Sequence, residues 1–152
     1  MKTFLNQIQS LIKRLIRIEE AMAFLYEKYS LRFPKFELWK NLMNDEISHA
    51  DTLKKLLKIT DFEKISVDPR AISESETKET LHGIERVIKS SKKVSITQAL
   101  AMAYKLECTI SEQAPFKVFY TKDPEFKKVF AYLGKATSVH SQKVFNALEK
   151  VK

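Results

Sequence analysis

The sequence predicts an all-α fold: four long helices, with one shorter helix in a long crossover between the second and the third. Three observations carry this. There are only two Gly and four Pro in 152 residues, which excludes turn-dense all-β architectures. Apolar residues recur at helical spacing over four long stretches. Ser/Glu, Ser/Gln and Asp-Pro signals mark helix starts where a stretch begins. The length fits one domain over 1–152, and 44% hydrophobic residues suffice for its core.

The first helix is expected from about Phe4 to Ser30, with Ile8, Ile12, Leu15, Ile16, Met22, Ala23 and Tyr26 as its apolar stripe. Arg32-Phe33-Pro34 ends it, and Pro34 is suited to open the next helix. The second helix runs to about Lys58, with Trp39, Leu42, Met43, Ala50, Leu53 and Leu57 on one face. Residues 59–72 show no period and contain Asp68-Pro69, so they read as a loop. Ser73-Glu74-Ser75-Glu76 is a capping box that starts a short helix to about Ser91. Ser95-Ile96-Thr97-Gln98 is a second capping box and opens the third long helix. Pro115 predicts a kink or break there. Asp123-Pro124 caps and opens the fourth helix, which runs almost to the end. Two hairpins joined by a long connection describe a four-helix bundle with one crossover. Aligning His49 with His140 sets Trp39 against Phe130, Leu42 against Leu133 and Leu53 against Val144, a weak internal repeat of one helical hairpin.

Composition narrows the function. One Cys allows no intrachain disulfide and no zinc finger, which fits a reducing cytoplasm. The net charge is +8, but the lysines are scattered, which favours a solvated surface over a nucleic-acid site. The N-terminal stretch has no uninterrupted apolar core, so no signal peptide is expected. No run of about 18 apolar residues is present to span a membrane.

The informative residues are charges on the wrong face. Glu19 interrupts the first stripe, whereas Glu20, turned about 100° away, sits among charged neighbours. Glu46 and His49 interrupt the second stripe. Glu107 lies among Leu100, Ala103, Tyr104, Ile110, Ala114 and Val118 on the third, and His140 among Phe130, Leu133, Val144 and Leu148 on the fourth. An unpaired carboxylate in such a core costs several kcal/mol or stays protonated. Three carboxylates and two imidazoles need partners, and metal ions supply them; this donor set suits iron, manganese or zinc. Glu46 and His49 form a Glu-x-x-His pair, whose i and i+3 side chains share a helix face. The competing reading pairs Glu19 and Glu107 with Lys, Arg or Tyr and makes His140 a satisfied core histidine. Tyr26 and Tyr104 read as core aromatics, Cys108 as packing, and His82 as surface.

These residues resemble the ferritin-like superfamily, in particular rubrerythrin-like di-iron bundles. Glu19 with Tyr26 (IEEAMAFLY), Glu46 with His49 (NDEISHADTLKKLL), the stretch leading to Glu107 (ALAMAYKLE) and Thr137 to His140 carry the resemblance. It implies iron, two ions or one. Glu19 and His49 would take one metal and Glu107 and His140 the other, with Glu46 as the bridge. It also implies reaction of the reduced metal with peroxide or dioxygen, or iron oxidation, a separate electron donor and a homodimer. The chain departs from the pattern at two points. Thr137 stands where the family has its second bridging Glu, and its hydroxyl is expected to bond back within its own helix. Ile110 stands where rubrerythrins place a further Glu, and the four-cysteine rubredoxin module is missing. The alternative expectation is a metal-free, degenerate helical bundle that binds an acidic partner through its basic surface.

Overall fold

In the computed structural model, residues 2–58, 62–68, 73–113 and 115–152 are described. Among the described residues there are five α-helices: α1 (Lys2–Arg32), α2 (Glu37–Lys58), α3 (Glu74–Ser90), α4 (Ile96–Gln113) and α5 (Pro124–Val151). The all-α expectation holds in its coarse form. Among the described residues no helix is long and apolar enough to cross a membrane.

α1 and α2 form an antiparallel hairpin. Tyr29 near the end of α1 meets Trp39 at the start of α2, with ring centroids 4.7 Å apart, and Ile12 further back shares an apolar cluster with Leu53. α3 packs on another side of α1, where the Arg14 guanidinium donates to the buried Thr77 hydroxyl at 2.8 Å. α1 therefore buries Ile18 and Leu25 as well as its predicted stripe. α4 pairs with α5.

The caps follow the sequence. Ser73 accepts from the Glu76 amide, and Asp123 accepts from the amides of Glu125 and Phe126. At the start of α4 the capping box is reciprocal: Ser95 N–H donates to Gln98 Oε1 at 2.9 Å and Gln98 N–H to Ser95 Oγ at 3.1 Å. Ser95→Ala is therefore expected to cost about 1 kcal/mol, read as a lower urea midpoint at unchanged m-value.

Four expectations are corrected. Pro34 does not open α2; it sits in the turn, and the helix begins at Glu37. Part of the stretch expected to be loop is a 3-10 turn (Phe62–Lys64) followed by strand β1 (Ile65–Val67); 59–61 and 69–72 lie outside the described residues. β1 pairs antiparallel with β2 (Phe119–Thr121), Ser66 opposite Tyr120. Val118 accordingly does not belong to the third long helix; α4 ends at Gln113, before Pro115, whose missing N–H cannot continue a helix. Ala114 lies outside the described residues. Tyr104 is half-buried against Phe145, 5.4 Å between centroids, rather than in the core.

The core has two apolar clusters. One gathers Tyr26, Tyr29, Trp39, Leu42, Ala99, Leu100, Val144 and Leu148. The other gathers Ile12, Leu15, Leu53, Ile65, Phe116, Phe119, Phe130 and Leu133, with the Phe119 and Phe130 rings stacked at 4.5 Å. Along α1, α2 and α5 the division falls at one level. Leu15 and Ile16 belong to one cluster and Ile18 and Met22 to the other; the same holds for Leu53 against Leu42 and for Leu133 against Val144. Glu19, Glu46, His49, Thr137 and His140 occupy that level.

Candidate metal centre

All five residues singled out from the sequence are buried: Glu19, Glu46, His49, Glu107 and His140. Helical phase puts them inside, because each continues an apolar stripe at i±3 or i±4. Glu46 stands at the centre. Its Oε1 lies 2.8 Å from His140 Nδ1 and its Oε2 lies 3.6 Å from His49 Nδ1. The two imidazoles are 5.4 Å apart between centroids and nearly parallel, at 25°. Each turns Nδ1 toward the same carboxylate. Glu46, His49 and His140 each offer one ligand atom, all within 4.8 Å of one another, so this buried group can hold a metal ion.

Glu19 and Glu107 flank the group on opposite sides. Glu19 Oε2 is 3.6 Å from His49 Nδ1, and Glu107 Oε1 is 3.7 Å from His140 Nδ1. The Tyr26 hydroxyl donates to Glu107 Oε1 and fixes that carboxylate from α1. Thr137 contributes no carboxylate and points its hydroxyl back to the Leu133 carbonyl at 3.2 Å, as its position within a helix favours.

The charges in this layer follow from burial and proximity. Burial, then the neighbouring Glu46 charge, pushes the Glu19 carboxyl well above the usual carboxylate range, so Glu19 keeps its proton and donates it to Glu46. Burial also opposes charge on Glu46, but hydrogen bonds from Glu19 and His140 and the nearby His49 outweigh it and hold that carboxyl below its ordinary value. Burial alone would lower both histidines. The carboxyl groups around them win, raising His49 to about 9 and His140 to about 11. For His49 the carboxyl groups are Glu19 first and then Glu46. Burial and the Glu107 charge push the Tyr26 phenol far upward, so it remains a donor.

Asp45 belongs to the site and was not singled out from the sequence. Its Oδ2 lies 3.1 Å from His140 Nε2, so a carboxylate of α2 holds the far nitrogen of an imidazole on α5. Such a contact fixes the ring and leaves Nδ1 to face a metal. Asp45 is one position off the stripe, turned about 100° from Glu46. A reading that follows buried phase passes over it; the signal was a second carboxylate beside Glu46.

A small cavity of about 220 Å³ opens between α2 and α5, with Asp45, Tyr132, Lys135, Ala136 and Val139 around it and His49 and His140 in its wall. Tyr132 meets the His49 ring edge-on at 5.7 Å. A larger groove between α3 and α4 shares no residue with this layer. His82 is exposed on α3, and Cys108 is half-buried beside Tyr104 on α4.

Compared with protein-family models, with curated proteins and with solved structures, the chain shows no match.

Proposed function

We propose that this chain is a ferritin-like, non-haem iron protein of the rubrerythrin-like type, acting in the cytoplasm. It would reduce peroxide or dioxygen, or oxidise ferrous iron. One observation carries the reading: a buried Glu46 carboxylate between two imidazoles that both present Nδ1 to it. The donor chemistry fits. Carboxylate with imidazole nitrogen suits iron, and also manganese or zinc. Glu46, His49 and His140 would hold the metal, with Glu19 and Glu107 placed to join them. When bound, iron supplies electrons and Lewis acidity.

The chain's own residues do the rest. Asp45 orients His140, and Tyr26 orients Glu107. The apolar clusters on either side exclude water from the layer. The cavity between α2 and α5 is wide enough for a small oxidant. The reductant is a separate protein, and the chain pairs as a homodimer; both rest on the family resemblance alone. The experiment is anaerobic loading with Fe²⁺ followed by hydrogen peroxide. The expected outcome is peroxide consumption matched by oxidation of the bound iron. Iron-loaded protein that leaves peroxide and dioxygen untouched contradicts the redox role.

A second reading is favoured by one specific observation. Both ring nitrogens of His140 already have carboxylate partners, and Thr137 offers no ligand. The layer would then be a closed ionic network in a metal-free bundle, and the +8 chain would serve an acidic partner. Protein that takes up no iron under these conditions selects this reading.

A further inference from the structure

The groove between α3 and α4 is lined on its α3 side by residues placed evenly about Gly83. Thr80 and Arg86 stand three positions either side of it, Glu79 and Val87 four, and Glu76 and Ser90 seven. These spacings keep to one helix face, so the residues form a single stripe with Gly83 at its centre. Gly83 also lies within one residue of the midpoint of α3. A glycine inside a helix costs stability, and the chain's own packing does not require one here. A Cβ at Gly83 would meet only Arg86 Nη2, at 3.8 Å, an ordinary van der Waals distance. A bare position at the centre of a groove lets another backbone come close.

The charge along the stripe changes sign across Gly83. Glu76 and Glu79 lie on its N-terminal side and Arg86 on its C-terminal side. Lys105 of α4 stands alongside the same C-terminal half, since Gln113, eight residues later, is hydrogen-bonded to Thr80. Lys78 and Glu85 run against this division, but neither lines the groove. Neither the Glu79 carboxylate nor the Arg86 guanidinium has a hydrogen-bond or ion-pair partner among the described residues. Between the charges, Val87, Met102 and Leu106 are only partly buried.

We infer that this groove docks a second copy of the chain, with α3 lying antiparallel against α3 of the other copy about a two-fold axis at Gly83. A stripe that is even in position and opposite in charge is complementary to itself when reversed, as a two-fold contact requires. Glu79 and Arg86 are seven residues apart and so share one flank of the stripe. Reversal brings Glu79 of each copy beside Arg86 of the other, twice in one interface. Val87, Met102 and Leu106 then lose water at its centre. The net charge of +8 on each copy opposes association, and the acidic half of the stripe offsets it locally. The inference rests on the homodimer proposed above, whose face it names, and is independent of any metal.

The test is analytical ultracentrifugation over a range of protein concentrations, with far-UV circular dichroism to confirm that each variant is folded. The parent is expected to sediment as a dimer. Arg86→Glu sets like charges against each other at both symmetric contacts and is expected to raise the dimer Kd at least about tenfold. Glu79→Arg is expected to do the same. Combining Glu79→Arg with Arg86→Glu exchanges the signs and is expected to restore the parental Kd. Gly83→Leu, which fills the centre of the stripe, is expected to leave a folded monomer. A parent that stays monomeric overturns the homodimer and the inference with it. A dimer untouched by Arg86→Glu and Gly83→Leu overturns the inference alone, since the copies then meet on another face. Single variants that weaken the dimer without rescue in the double variant also overturn it, because Glu79 and Arg86 are then not opposed.

Discussion

Glu46→Ala is expected to remove metal binding and to cost about 3–5 kcal/mol of stability in the metal-free protein, because it strips the partner from two buried charges. His140 Nδ1 loses a contact of 2.8 Å, His49 Nδ1 one of 3.6 Å, and Glu19 the acceptor for its proton. Glu107 and Asp45 still face His140 at 3.7 Å and 3.1 Å, and Glu19 still faces His49 at 3.6 Å. Urea unfolding reads the stability, and Co²⁺ titration reads the site. Glu46→Gln separates the two effects. It keeps the shape and an acceptor oxygen but loses the charge, so metal binding disappears while less stability is lost. An alanine variant as stable as the parent would show that the layer is not held together through Glu46.

Metal loading is expected to reverse the pH dependence of stability. His49 and His140 titrate at about 9 and about 11 in the folded protein, above the ordinary imidazole value of 6.5. Their folded forms hold protons more tightly than their unfolded forms. That contribution is complete below about 6.5 and is lost as pH rises through about 9 and then about 11. Glu19, raised by burial, adds a contribution of the same sign. The metal-free protein is therefore expected to weaken on the alkaline side. A metal needs the same imidazoles without their protons, so its binding releases protons and strengthens with pH. Below about pH 9, with both imidazoles protonated, metal affinity should climb by up to about a hundredfold per pH unit. At a free metal concentration of about 100 times Kd, the loaded protein gains about 2.7 kcal/mol. Thermal melts with and without metal, at pH 6.5 and 8.5, check both signs. A loaded protein stabilised more at 6.5 than at 8.5 would contradict the proton competition.

The helices were legible because their apolar phase is long and their ends are marked. Asp123-Pro124 and the Ser95 box act locally, within one turn, and so can be read from a single stretch. The strands were not legible. Ile65-Ser66-Val67 and Phe119-Tyr120-Thr121 are too short for alternation to register, and each forms only because the other, more than fifty residues away, lies beside it. Pro34 is suited to a first helical turn, but the backbone needs the Pro34-Lys35 turn to reverse from α1 into α2. In the site, phase alone placed Glu19, Glu46, His49, Glu107 and His140 inward, and the structure brings them into one layer. Their pairing was not readable. That Glu46 sits between both histidines, and that Asp45 reaches across to His140, depends on how α2 meets α5.

The most direct test of the central claim is stoichiometric Fe²⁺ binding under anaerobic conditions, compared between the parent protein and Glu46→Gln. The account predicts iron retained by the parent through gel filtration, with a raised melting temperature, and neither effect in Glu46→Gln. A parent protein that emerges without iron and melts unchanged, or a Glu46→Gln variant that retains as much iron as the parent, would contradict it.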